Sequence, residues 1–99
     1  MMRFYGRDGR SIGRDEWMRQ IEDHDHRRIG LDEVGDTHIS TVWMGIDHSF
    51  WDHGPPVIFE SMLFGGEFSG EMRRYHTEAE ALEGHRHAVR NLQSGRAPW

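Results

Sequence analysis

The chain has 99 residues, with seventeen Asp and Glu against twelve Arg, eight His and no Cys. That length supports one modest core rather than two, and a chain without Cys has neither a disulfide framework nor a thiolate zinc site. The formal net charge of -5 argues against nucleic acid as a partner, because neutralising phosphates requires a basic face and the Arg residues are scattered among the acidic ones.

Hydrophobic residues make up only 35% of the chain, so burial must come from a few large side chains, drawn mainly from its four Trp, five Phe and six Met. No apolar run approaches the roughly 20 residues that a membrane helix needs, and the first residues lack an apolar signal core. The expectation is a protein of the cytoplasm, neither spanning nor anchored to a membrane.

In chain order, residues 2–12 alternate weakly around Arg7-Asp8-Gly9-Arg10, where Asp-Gly favours a tight hairpin turn. A short helix is expected to begin near Arg14. Gly13 stands at the N-cap, Asp15 and Glu16 face the helix dipole in the first turn, and Ile12 and Trp17 have the spacing of a hydrophobic staple. Its apolar stripe, Trp17, Met18 and Ile21, dissolves at Glu22-Asp23-His24-Asp25-His26.

From Arg28 the pattern turns to alternation. Val34-Gly35-Asp36-Thr37 puts Gly at the first central position of a two-residue type II′ turn, which predicts antiparallel strands over 28–34 and 37–47. Closing that turn pairs Leu31 with Ser40 and Ile29 with Val42. Those residues, with Met44 and Ile46, are expected to face the core, leaving Arg28 against Trp43 on the other side. Asp47 to Pro56 is an aromatic loop fixed by Pro55-Pro56. Val57 to Phe64, interrupted only by Glu60 and Ser61, reads as a central strand buried on both faces. Gly65-Gly66 ends it, residues 70–75 fit a short edge strand, and Thr77-Glu78-Ala79-Glu80 is a capping box. Behind that box Ala81, Leu82, His85, Ala88, Val89 and Leu92 form the inner stripe of the last helix.

The predicted architecture is α+β: one small antiparallel sheet of three to five strands with two helices packed on one face. A single domain is expected over 1–93, with 94–99 a loose tail.

Three stretches carry a resemblance: Ser40 to His48 (STVWMGIDH), Gly54 to Gly66 (GPPVIFESMLFGG) and Tyr75 to His85 (YHTEAEALEGH). In this order they resemble a family of small proteins encoded by tailed phages and prophages, chiefly of actinobacteria. The resemblance runs from about Tyr5 to Val89, and the chain departs from the family pattern at His24, His26 and Gly13. It implies no activity. It implies a setting: an accessory protein inside an infected or lysogenic bacterium, binding a host or anti-phage defence protein.

Three constellations could carry function. The His content invites a metal, but His24 and His26, like His85 and His87, lie two apart, which on a helix turns them about 200° from each other. A site would need His48, His53, Glu60 and His85 to converge, with Asp47 or Asp52 behind them. Without an HExxH spacing the plainer reading is surface histidines plus one core His bonded to Glu60. Glu60 with His85 could alternatively perform acid–base chemistry, though no nucleophile lies beside them. The third constellation is a binding surface built from Trp43, Phe50, Trp51 and the Pro55-Pro56 corner, aromatic anchors on a stiffened loop. The same rings could instead cap a small core.

The sequence reading is thus non-enzymatic protein binding without a cofactor. Its site is Trp43, Asp47, His48, Phe50, Trp51, His53, Glu60 and His85, and self-association is expected through a bare sheet face bearing Ile39, Trp43, Ile58 and Met62. A metal-dependent or acid–base enzyme on Glu60, His48 and His85 is the alternative.

Overall fold

A computed structural model describes residues 2–48 and 54–99. The chain opens with a two-residue pairing of β1 (Phe4–Tyr5) with β2 (Ser11–Ile12), turned at Gly9, whose φ of 84° suits glycine. Helix α1 (Arg14–Ile21) follows directly, with Asp15 and Glu16 in its first turn. Trp17 anchors it: the indole donates to the Met44 carbonyl at 2.9 Å and its ring lies 4.8 Å from that of Phe4. A one-turn helix, α2 (His24–Arg27), fills the stretch where the apolar pattern dissolves. The Asp23 carboxylate caps it by accepting from the backbone N–H groups of Asp25 and His26, so polarity here marks a cap as well as a helix end.

Strands β3 (Arg28–Val34), β4 (Thr37–Trp43), β5 (Phe59–Phe64) and β6 (Met72–Tyr75) form one antiparallel meander in that order. The β3–β4 turn is as expected, with φ 58° at Gly35 and no positive φ at Asp36, and it sets Val34 opposite Thr37 and Leu31 opposite Ser40. The register then slips between Arg28 and Gly30, pairing Arg28 with Val42 rather than Ile29 with Val42. This bulge is one correction to the hairpin reading. A larger one concerns its faces. Thr37, Ile39, Thr41 and Trp43 are the buried side of β4, whereas Leu31 is exposed and Ser40 and Val42 are half-buried. Along β4 the predicted inner and outer faces are exchanged, while Ile29, at the bulge, packs on the core as expected.

Helix α3 (Glu78–Gln93) lies across the inner face. Its start is capped by Thr77, whose hydroxyl oxygen accepts from the Glu80 N–H. Its end is a Schellman motif: Gly95, at φ 75°, donates to the Leu92 carbonyl and Arg96 donates to that of Asn91. The chain then doubles back. Pro98 is buried, its carbonyl accepts from the Asn91 amide at 2.9 Å, and Trp99 packs on Ile39, Leu63 and Ala88. Pro98 and Trp99 thus pack on the core, while residues 94–97 are exposed.

Two clusters fill the space between helix and sheet. Trp43, Ile58, Phe59, Tyr75 and Ala81 form one, sealed by Tyr5, Ile12, Trp17, Ile21 and Ile29, and Ile39, Leu63 and Ala88 form the other. The first hairpin and the short helices thus close one end of the core. Arg7 holds them there, with its Nε donating to the Glu78 carboxylate at 2.7 Å and its Nη1 to the His26 carbonyl at 3.0 Å.

Candidate functional site

Between the two clusters the inner face is polar. Alternation along β4 and β5 points Thr41 and Ser61 inward, and the strand register sets them side by side. Their hydroxyls lie 2.5 Å apart. His85 comes down from α3 with Nδ1 2.7 Å from Thr41 Oγ1 and Nε2 2.6 Å from Asp32 Oδ2. At the other end the Tyr75 hydroxyl donates to Ser61 Oγ at 3.1 Å. A hydrogen-bonded chain, Tyr75–Ser61–Thr41–His85–Asp32, therefore runs beneath the helix from β6 to β3.

Two glycines make room for it. A Cβ on Gly30 would lie 2.8 Å from His85 Nε2, closer than a real side chain allows, so glycine on β3 is what admits the imidazole. Gly84 does the same for the Tyr75 phenol.

The donors can be ordered. With a proton on His85 Nε2, that nitrogen donates to the Asp32 carboxylate and Nδ1 accepts from Thr41. Thr41 accepts from Ser61, and Ser61 accepts from Tyr75, so each link has one donor and one acceptor. A proton on Nδ1 would reverse the Thr41 link. Ser61 would then accept from both neighbours and have no acceptor in the chain for its own proton. Burial holds the Tyr75 phenol above its ordinary pKa and outweighs the lowering effects of the Ser61 bond and the Arg73 charge, which keeps it a donor at neutral pH.

An Asp–His–hydroxyl series resembles a nucleophile relay in composition, but its accessibility is wrong for one. Thr41 and Ser61 have no exposed surface and His85 is 3% exposed. Only Asp32 reaches solvent freely, with about half its side chain exposed. The series fastens helix to sheet, with the Thr41 and Ser61 hydroxyls sealed from solvent.

Among the described residues no element packs on the opposite face of the sheet, which is left bare. There the register lines up Leu31, Ser40, Met62 and Met72 across all four strands. Phe64 lies in the row on one side, beside His38 and Glu33, and Val42 in the row on the other, with Arg28, Glu60 and Arg74. Leu31 is 54% exposed, Phe64 50% and Met72 43%. Large apolar side chains grouped like this on one surface signal an interface.

Of the residues singled out in the sequence, Trp43 is fully buried, its indole donating to the Tyr5 carbonyl and its ring edge-on to His26. It is core, neither a surface anchor nor the partner of Arg28. Ile39 and Ile58 are likewise fully buried, leaving Met62 as the one correctly placed member of the predicted dimer face. Glu60 points outward and pairs with Arg74 at 3.1 Å. It cannot meet His85, which lies on the other side of the sheet, so the core pair expected of them does not form. Asp47 accepts from the Val57 N–H at 2.9 Å and the His48 N–H donates to the Val57 carbonyl, which holds the two ends of the loop together. Phe50, Trp51 and His53 lie outside the described residues. Among the described residues no three His, Asp or Glu side chains converge as a metal site would require, and no helix is long and apolar enough to cross a membrane.

Asp32, Thr41, Ser61 and Tyr75 were not singled out in the sequence. No protein-family model matches the chain, and no curated protein or solved structure matches it either.

Proposed function

We propose that the protein acts by binding another protein, without catalysis, and that the bare sheet face is the binding surface. One observation carries this reading. Leu31, Phe64 and Met72 are exposed together on the side that α3 leaves uncovered, while the side chains best suited to chemistry lie sealed beneath the helix. Glu60 and His85 face opposite sides of the sheet, which favours binding over an enzyme built on Glu60, His48 and His85. The finer form of the reading is a phage-type accessory role against a host or defence factor in the bacterial cytoplasm. The motif resemblance supports it, as do the small size and the charge of -5, which would suit mimicry of nucleic acid toward a basic site.

The test is capture by tagged protein from bacterial cells that also express an untagged copy, comparing the natural sequence with Phe64→Asp. A stoichiometric companion, host protein or untagged copy, that disappears with the substitution supports the reading. If neither is captured, or if Phe64→Asp captures the same companions, the bare face is not the binding surface.

A further inference from the structure

We infer that the partner of the bare face is a second copy of this chain, joined about a two-fold axis that runs along the row Leu31, Ser40, Met62, Met72. This rests on the protein-binding reading and names its occupant.

The first argument is charge. The chain carries -5 overall, so most of its surface repels another copy. The bare face does not, because it carries Glu33 and Glu60 with Arg28 and Arg74, two charges of each sign. Glu60 and Arg74 already neutralise each other. Glu33 stands on one side of the apolar row and Arg28 on the other, both on β3.

The second argument is symmetry. A two-fold contact must complement itself. An axis along the row lays Leu31 on Leu31, Met62 on Met62 and Met72 on Met72. It exchanges the rows on either side, which brings Glu33 over Arg28 of the second copy, and Arg28 over its Glu33. On the same strands Phe64 comes over the second copy's Glu60, which is paired with Arg74, and His38 comes over Val42. An axis along the strands serves worse, since it would place Arg28 against Arg74.

The third argument is size. Four strands about 4.8 Å apart and up to about 23 Å long present roughly 400 Å² in projection, or about 600 Å² of accessible surface once side-chain relief is counted. Two copies would bury about 1,200 Å², the lower end of the range for specific interfaces. The dimer should therefore be concentration-dependent, associating in the micromolar range.

The experiment is sedimentation equilibrium of the purified chain across about 1 to 200 μM at about 0.15 M salt. The natural sequence should move from 11.7 kDa toward twice that mass. Phe64→Asp should weaken association by at least about tenfold with its circular dichroism and urea midpoint unchanged, since Phe64 is half exposed in the single chain. Arg28→Glu and Glu33→Arg should each weaken it, and the double exchange should restore most of the loss. That recovery has no counterpart if the residues act only within one chain. A natural sequence that remains monomeric throughout overturns the proposal, as does a dimer indifferent to Phe64→Asp or an exchange without recovery. Failure of the broader reading is distinguishable. A monomer that still captures a host protein, lost with Phe64→Asp, removes the second copy and keeps the face; a monomer that captures nothing removes both.

Discussion

Deleting the two central hydroxyls of the buried chain, singly and together, should give losses that do not add. Thr41→Val keeps the side-chain shape but strands two groups: His85 Nδ1 loses its donor and the Ser61 hydroxyl loses its acceptor. An unsatisfied buried group costs about 1–3 kcal/mol, so Thr41→Val should cost about 2–6 kcal/mol. Ser61→Ala strands the Tyr75 hydroxyl and leaves Thr41 donating to His85, for about 1–3 kcal/mol. In the double variant the stranded groups are only His85 Nδ1 and the Tyr75 hydroxyl, because the Ser61 hydroxyl has gone as well. The double loss should fall short of the summed single losses by about 1–3 kcal/mol, the penalty of one buried hydroxyl. Urea unfolding at pH 7 measures all four proteins, and a constant m value would confirm that the unfolded reference has not moved. Losses additive within about 0.5 kcal/mol would show the two hydroxyls to be energetically independent, and the chain of donors and acceptors would then be geometry without coupling.

Gly30→Ala puts a methyl into the His85 ring; it should destabilise by about 1–3 kcal/mol through forced displacement, readable as a lower midpoint, and an unchanged midpoint would mean the helix is not held at that distance. Glu78 has its pKa lowered, first by the bond from Arg7, with the charges of Arg7 and His26 adding and burial opposing. A depressed carboxylate stabilises the fold above its unfolded pKa and loses that contribution as pH falls through its folded pKa. Glu78→Gln should therefore lower the urea midpoint at about pH 7 and lose its effect at about pH 3. Because the pair is partly solvated, the difference at neutral pH should be no more than about 1 kcal/mol, and a difference that persists at low pH would exclude the charge as its cause. Trp99→Ala removes a ring packed on Ile39, Leu63 and Ala88; a loss of about 1–3 kcal/mol is expected, against none if the chain end merely rests on the surface.

Local turn and cap chemistry was the most legible part of the fold. Gly35 fixed the register of Leu31 with Ser40, and Asp8-Gly9 and Thr77 marked the first hairpin and the last helix, because each acts through one or two neighbouring backbone groups. The choice of faces was not legible in the same way. Both sides of the β3–β4 hairpin carry apolar residues, and the inner side also carries Thr41, which looks external until His85 is brought over it from 44 residues away. The bulge at Ile29 then moved Arg28 out of its predicted pairing. Glu60 stands in a run, 57–64, whose apolar residues on both parities suggest a strand buried on both faces. Pairing that strand with β6 across Gly65-Gly66 would have set Glu60 opposite Arg74, an outward ion pair. Asp32 offered no signal of its own, being one acidic residue on an exposed edge.

The two faces of this sheet are specialised in different ways, and the difference bears on where function can lie. Beside His85, Val89 and Leu92, three residues of α3 against the sheet are small, Ala81, Gly84 and Ala88, so the helix approaches closely there and apolar packing alone would tolerate some sliding along its axis. The Tyr75–Ser61–Thr41–His85–Asp32 chain removes that tolerance. A shift of one turn, about 5.4 Å, would break the His85 bonds to Asp32 and Thr41 and carry Gly84 away from the Tyr75 ring, stranding buried polar groups. The polar residues of the inner face thus select one docking position, which accounts for them without invoking a substrate. Leu31, Phe64 and Met72 have no such account within the single chain. Leaving them in water gives up about 25 cal/mol for each Å² of apolar surface that could be buried, which a partner on that face would recover.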